Sequence, residues 1–404
     1  MTAQISRPEN GGHSQRVLVR TLPLSTGNYG GILQAWALQQ VLRDLGYEAA
    51  VDLSTTVLPP ERLRRRFRRR AELLVAHWAP KGWAPEPATK RALRPYVHQQ
   101  ILQFLDRLET AHLYDEGGRI DLDLVRATDA FVVGSDQIWR ADYGDVASYL
   151  LDGVPADHPG PRIAFAASFG VDTPSPRLQN HRSAAASLTS VSVREDSGVA
   201  ACRQLWGVEA TRMVDPTMLI PASRYVDELS AAERTDGGLV TYVLDWDETK
   251  RAIVEDCAQR LGVPARQILP MTIPGYRQVR ADPSRYWYPS VEEWLTDLSS
   301  ADFIITDSFH GTVFAILFNK PFLVIPNVER GTARFDTILR LFGLRNRLVT
   351  DRHAAQIASE GSINWPDVNA RLQSERKRAL DFLAVGLKSP VQADLPPSSE
   401  RPEE

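Results

Sequence analysis

Cysteine is nearly absent: Cys202 and Cys257 are the two among 404 residues, far apart and in no CxxC or Cys/His spacing. That excludes a disulfide framework and a thiolate zinc site, and it makes the cytoplasm the expected compartment. Long apolar runs are lacking as well. The most apolar stretch, Phe314 to Ile325, is broken by Asn319, Lys320 and Pro321, far short of the ~20 residues that cross a bilayer. Met1 to Arg16 hold no apolar run of the kind a signal peptide needs, so secretion by that route is not expected. Neither sign of charge dominates, with 47 Lys and Arg against 50 Asp and Glu and a formal net charge of −3. No chain-wide field favours nucleic acid, and none is expected as a partner.

What the chain contains is a globular composition, 43% apolar and 24% charged, and its length suits two domains at roughly 100 to 200 residues each. After a flexible lead over 1–16, Val17 to Thr21 reads as a strand, Ser25 to Gly31 as a turn, Ile32 to Leu45 as an amphipathic helix stopped by Gly46, and Ala49 to Leu53 as a strand. Strand, glycine-rich turn, helix, strand opens a doubly wound α/β domain. Residues 54–115 interrupt it and read as a helical insertion with an amphipathic helix near Val97 to Leu108. Strands resume at Ala130 to Val133, Ile163 to Ala167 and Ser190 to Val193. A second set follows at Leu239 to Leu244, Gln267 to Leu269, Phe303 to Thr306 and Phe322 to Ile325, with a boundary in the proline-bearing stretch from Asp215 to Tyr225. The expected division is an N-terminal α/β domain over 17–220, a C-terminal one over 221–388, and a disordered tail over 389–404 rich in Pro, Ser and Glu.

The segment Phe303 to Thr312 reads as strand, loop and helix start. It sets Asp307, Ser308 and His310 at the carboxyl end of a strand, beside helix N–H groups of Gly311 and Thr312 that favour an anion. Asp and Ser also cap helices, and a lone loop histidine is more often incidental. Past the next strand, Arg330 and Arg334 stand near the same face, and Arg194 follows the strand Ser190 to Val193. Guanidinium forks grip carboxylate or phosphate, whereas surface ion pairs are the commoner fate of arginine. The turn Gly27 to Gly31 has neither GxGxxG spacing nor a P-loop lysine. Its Asn28 and Tyr29 can reach a sugar hydroxyl, and its glycines can serve only a tight bend. Ser135 and Asp136 follow a strand without the GxSxG elbow, which argues against a nucleophilic serine. Seven arginines fall between Arg62 and Arg70. Such a run can approach an anionic membrane or a lipid-diphosphate carrier, but a solvated face docked through Leu63 and Phe67 is the favoured reading.

Taken in order, these segments resemble the polysaccharide pyruvyl transferase family. They are Asn28 to Gln39, Val133 to Trp139, Ala167 to Gly170, Ser192 to Glu195, Val214 to Leu219, Thr306 to Thr312 and Arg330 to Phe335, within a span from Val17 to Leu344. The resemblance implies two Rossmann-like domains facing a cleft, as in glycosyltransferases of the B type. It further implies transfer of the enolpyruvyl unit of phosphoenolpyruvate to hydroxyls of a sugar, or of a lipid-linked oligosaccharide, giving a pyruvate ketal and phosphate. No cofactor and no metal are implied. The family's histidine maps onto His310, with Asp307 as the residue that orients it or only caps the helix. Its Ser-Val-Arg arginine maps onto Arg194, and Arg330 and Arg334 share the role of the later basic residue. Ser308, Gly311 and Thr312 complete the donor side. Asn28, Tyr29, Ser135 and Asp136 are acceptor-side candidates. One departure stands out: studied relatives carry Arg two positions before the histidine, where this chain has Ser308. The other readings are a nucleotide-sugar glycosyltransferase of the same architecture and a catalytically silent binding protein.

Overall fold

The computed structural model describes residues 14–54, 93–143, 145–231, 237–270, 276–326 and 331–389. The arginine run Arg62 to Arg70, Arg330, most of the expected insertion, the lead up to His13 and the tail from Pro390 lie outside the described residues.

Among the described residues, seven strands form the first sheet: β1 (Arg16–Arg20), β2 (Glu48–Asp52), β3 (Thr110–Ala111), β4 (Ala130–Gly134), β5 (Arg162–Ala167), β6 (Ser190–Val193) and β7 (Thr211–Arg212). All pair in parallel, in the order β3-β2-β1-β4-β5-β6-β7. Every residue of β4 and β5 is buried, as strands covered on both faces by crossovers must be. The order reverses between β1 and β4, so the crevice at their carboxyl ends is the place where such sheets bind ligands. The second sheet has, among the described residues, four parallel strands, β8 (Leu239–Tyr242), β9 (Ala265–Gln267), β10 (Phe303–Thr306) and β11 (Phe322–Val324), ordered β11-β10-β8-β9. Two α/β lobes of Rossmann-like topology therefore face one another, which is the expected fold class.

Three details depart from the sequence expectation. Thr110 and Ala111, assigned to the helical insertion, instead extend the sheet beside Val51 and Asp52; two residues are too few to show a strand period. The helix expected from Ile32 starts at Tyr29, because Asn28 caps it by accepting from the Gly30 amide at 3.1 Å. That helix is also not amphipathic in use, since residues on all its sides are buried. It lies between the first sheet and the second lobe, with Tyr29 stacked on Trp294 (5.2 Å) and Trp36 against Tyr225 (5.4 Å). Finally, the helix Trp365–Gly386, placed by sequence in the second domain, crosses back onto the first. Phe382 packs on Phe165 of β5 at 6.1 Å, and Arg376 donates to the carbonyls of Met218 and Ile220 at 2.9 and 3.1 Å. Periodicity reveals that a helix has an apolar face but not which sheet receives it. Among the described residues, no helix is long and apolar enough to cross a membrane.

Candidate active site between the lobes

Strands β4, β5 and β6 deliver the first half of the site. Gly134 has φ 115°, and a Cβ there would stand 2.3 Å from the Phe165 carbonyl oxygen, so only glycine lets the chain turn at this edge. The turn seats Ser135 and Asp136. Arg194, one residue past β6, donates from Nη1 to Asp215 Oδ2 at 2.7 Å and from Nη2 to Asp136 Oδ1 at 3.1 Å. Asp215 opens a short helical turn, where its other oxygen accepts from the Thr217 amide (3.0 Å) and hydroxyl (2.8 Å). Ser135 Oγ lies 3.1 Å from Asp215 Oδ2, and its amide donates to Gln34 Oε1 at 2.8 Å. Both aspartates, Ser135 and Arg194 are buried.

The second lobe supplies His310, on the first turn of the helix Phe309–Leu317 after β10. Ser308 caps that helix through the Gly311 amide, at 3.4 Å. Gly311 is needed for packing, because a Cβ there would meet Thr306 Oγ1 at 2.3 Å. Thr312 turns its hydroxyl back to the Ser308 carbonyl at 3.0 Å. His310 lies flat on the start of the first-lobe helix: a Cβ on Gly30 would stand 1.9 Å from its Nδ1. Its Nε2 points at Asp215 Oδ2, 3.6 Å away, within ion-pairing range though beyond a hydrogen bond. Phe309 carries both arginines, with the guanidinium carbons of Arg194 and Arg334 at 4.8 and 5.7 Å from its ring centre.

Charge is closely balanced here. Burial alone would raise the Asp215 carboxyl, but His310, Arg194 and the Thr217 amide outweigh it and hold it well below the usual carboxylate range. Burial shifts Glu195 upward, against the opposing pull of Arg194 and Arg334. Its Oε1 accepts from Phe169 N (2.8 Å) and Ser168 Oγ (3.0 Å), while Oε2 is buried without a hydrogen-bond partner among the described residues. Burial, then the like charge of Arg194, pulls the Arg334 guanidinium down to about 10. An anion arriving beside Arg334 would offset both effects.

Of the residues singled out by sequence, His310, Arg194, Arg334, Ser135 and Asp136 come together. Asp307 does not meet His310. Its carboxylate is taken up by the Leu244 amide (2.7 Å), the Asp245 amide (3.1 Å) and Lys250 Nζ (2.9 Å), which tie β10 to the loop after β8. Nor does Asp307 cap the helix, a role that Ser308 fills. Ser308, Gly311 and Thr312 are all accounted for by helix start and packing. Tyr29 spans the lobes, donating to the Pro289 carbonyl at 2.6 Å, and is buried. Asn28 is exposed, and its Cβ lies 3.6 Å from where a Cβ on Gly31 would stand. Asp215 and Glu195 were missed as site residues, although both fall inside segments that carried the resemblance. Asp215 precedes a proline and reads as linker, and Glu195 reads as a loop charge. Among the described residues, no group of three or more His, Cys, Asp or Glu side chains is arranged to hold a metal ion.

A family model described as polysaccharide pyruvyl transferase matches residues 28–328. Among curated proteins, none matches the chain. Among solved structures, the chain is similar to the spinosyn rhamnosyltransferase SpnG complexed with thymidine diphosphate, at 15% identity and a TM-score of 0.34 over 93% of this chain and 97% of that one. It is also similar to UDP-N-acetylglucosamine 2-epimerase from Rickettsia bellii (10% identity, TM-score 0.46, 92% and 97% covered). MurG from Acinetobacter baumannii gives 12% identity and a TM-score of 0.39 over 93% and 99% of the two chains.

Proposed function

The chain belongs to the polysaccharide pyruvyl transferase family, and on that premise we propose that it moves the enolpyruvyl unit of phosphoenolpyruvate onto two hydroxyls of a sugar or lipid-linked oligosaccharide. The observation that carries this reading is the meeting of His310, Asp215 and two arginines around one phenylalanine ring at the lobe junction. A compact donor with up to three negative charges calls for cations and a proton-transferring group in one small space.

His310 is the proton-transfer group. Imidazole can deliver a proton to the donor's methylene carbon or take one from the attacking hydroxyl near neutral pH. Protonation leaves the central carbon electrophilic. The first hydroxyl adds there and gives up its proton, which replaces the one delivered to the methylene carbon; the carbon–oxygen bond to phosphate breaks, and a second hydroxyl of the same sugar closes the ketal as its proton passes to the departing phosphate. Asp215 stays ionised, so it stabilises an imidazolium and fixes the ring's orientation. Arg334 holds the donor's anionic groups. Arg194, already paired with two carboxylates, acts as the strut that positions Asp215 and Asp136. This differs from the donor contact expected of Arg194, because each of its terminal nitrogens already donates to a buried carboxylate.

Incubation with phosphoenolpyruvate and a panel of vicinal and 4,6-diol sugars tests the assignment. Phosphate release coupled to a pyruvyl mass gain on the acceptor is expected. Release of a nucleoside diphosphate from nucleotide sugars, without turnover of phosphoenolpyruvate, would replace it with the glycosyltransferase reading.

A further inference from the structure

The lobes meet at a second contact that the proposed reaction leaves unused. The Asp172 carboxylate, from the loop after β5, accepts from the Thr332 amide (3.2 Å), the Thr332 hydroxyl (3.0 Å) and the Ala333 amide (2.8 Å). Those groups begin the helix Ala333–Leu341, whose own cap residue, Thr332, makes no capping hydrogen bond. The first lobe thus caps a helix of the second. Backbones touch beside it: Gly331 has φ 80°, and a Cβ there would lie 2.9 Å from the Gly170 carbonyl oxygen. A turn further along the same helix, Thr337 Oγ1 accepts from the Asp196 amide at 3.4 Å, and Arg340 pairs with the Asp196 carboxylate.

The two flanks of the junction differ in kind. Around Tyr29, Trp294, Tyr242 and Phe314 it is a buried aromatic seam, which is costly to wet. Around Asp172 it is made of exposed hydrogen bonds and an exposed ion pair, which water can replace at little cost. Between them lie buried groups that the reaction needs. The His310 ring is covered by Gly30, and Arg334 is buried behind the narrow crevice formed by Gly170, Asp172, Glu195 and Gly331.

We propose that Asp172 is a releasable latch: the lobes hinge on the aromatic seam, and breaking the Asp172 contact with Thr332 and Ala333 uncovers His310 and Arg334. The structure is the latched form. An anion approaching Arg334 meets the Asp172 carboxylate at the mouth of the crevice, and like-charge repulsion favours release. The latch itself stands on geometry. Only its coupling to phosphoenolpyruvate rests on the function proposed above.

The test compares the full wild-type chain with Asp172→Ala by small-angle X-ray scattering and by calorimetric titration with phosphoenolpyruvate. The variant loses a helix cap worth about 0.5–2 kcal/mol, so its melting temperature should fall by only about 1–2 °C and it should remain folded. Expected are a larger radius of gyration without ligand and about tenfold tighter phosphoenolpyruvate binding, because less free energy goes into opening. Asp172→Asn, which keeps an acceptor oxygen but no charge, should fall between the two. A larger variant that binds no phosphoenolpyruvate, alongside a wild type that also binds none, would uphold the latch and remove the donor assignment. Superimposable scattering curves, whatever the binding, would overturn the latch.

Discussion

Replacing Arg194 with methionine keeps most of the side-chain volume but strips the cation from between Asp136 and Asp215. Both carboxylates are buried, and Asp215 is held ionised partly by that guanidinium. Breaking a buried ion pair by removing one partner costs about 3–5 kcal/mol, because the remaining charge cannot return to water. At about 2.1 cal/mol/K of unfolding entropy per residue, a chain of 404 residues shifts by about 1 °C per kcal/mol, so the melting temperature should fall by roughly 5 °C. Asp136→Asn should cost less alone, and combining it with Arg194→Met should recover about 1–3 kcal/mol, the coupling expected of residues in one network. Calorimetric melting of the four proteins at neutral pH reads the cycle. If Arg194→Met melts within about 1 kcal/mol of wild type while phosphoenolpyruvate affinity collapses, the arginine is a donor ligand and its role as a strut is wrong.

Acid should act through two groups with the same sign. Asp215 has a folded pKa below its unfolded value, so its stabilisation is present above the ordinary carboxylate range and is lost as pH falls below it; Asp215→Asn should melt lower at pH 7 and show a flatter acid branch. His98, which makes a 2.9 Å contact with the Thr26 carbonyl, is pushed down to about 4 by burial. Its contribution should be complete above about 6.5 and drain away as pH drops toward that lower value, and His98→Gln should remove this slope from melting temperature against pH. Gly30→Ala forces a methyl group into the His310 ring, so turnover should fall by about tenfold or more, with wild-type turnover counting against the placement of that imidazole.

Much of the fold was legible because parallel strands announce themselves as short apolar runs ending in polar loops. β1, β2, β4, β5, β6, β8 and β10 all lie within a residue or two of their expected positions. β3 and β7 escaped because two residues carry no period. The site was legible as a set of residue types but not as a set of partners. Nothing in the sequence distinguishes Asp307, which ties down the loop after β8, from Asp215, which faces the imidazole. That choice is made by the packing of the two lobes. Arg20 is a parallel case. It ends β1 as an unremarked strand residue, yet it is buried against Asp52 and sits between the rings of Tyr114 and Tyr149, each 4.7 Å away.

The measurement that bears most directly on the mechanism is phosphate release from phosphoenolpyruvate by wild type and His310→Gln, each confirmed folded by its melting temperature, in the presence of an accepted diol. Turnover should drop by about two to four orders of magnitude with donor affinity largely kept, because the imidazole acts on protons in the transition state. Equal turnover by the two proteins would contradict the account.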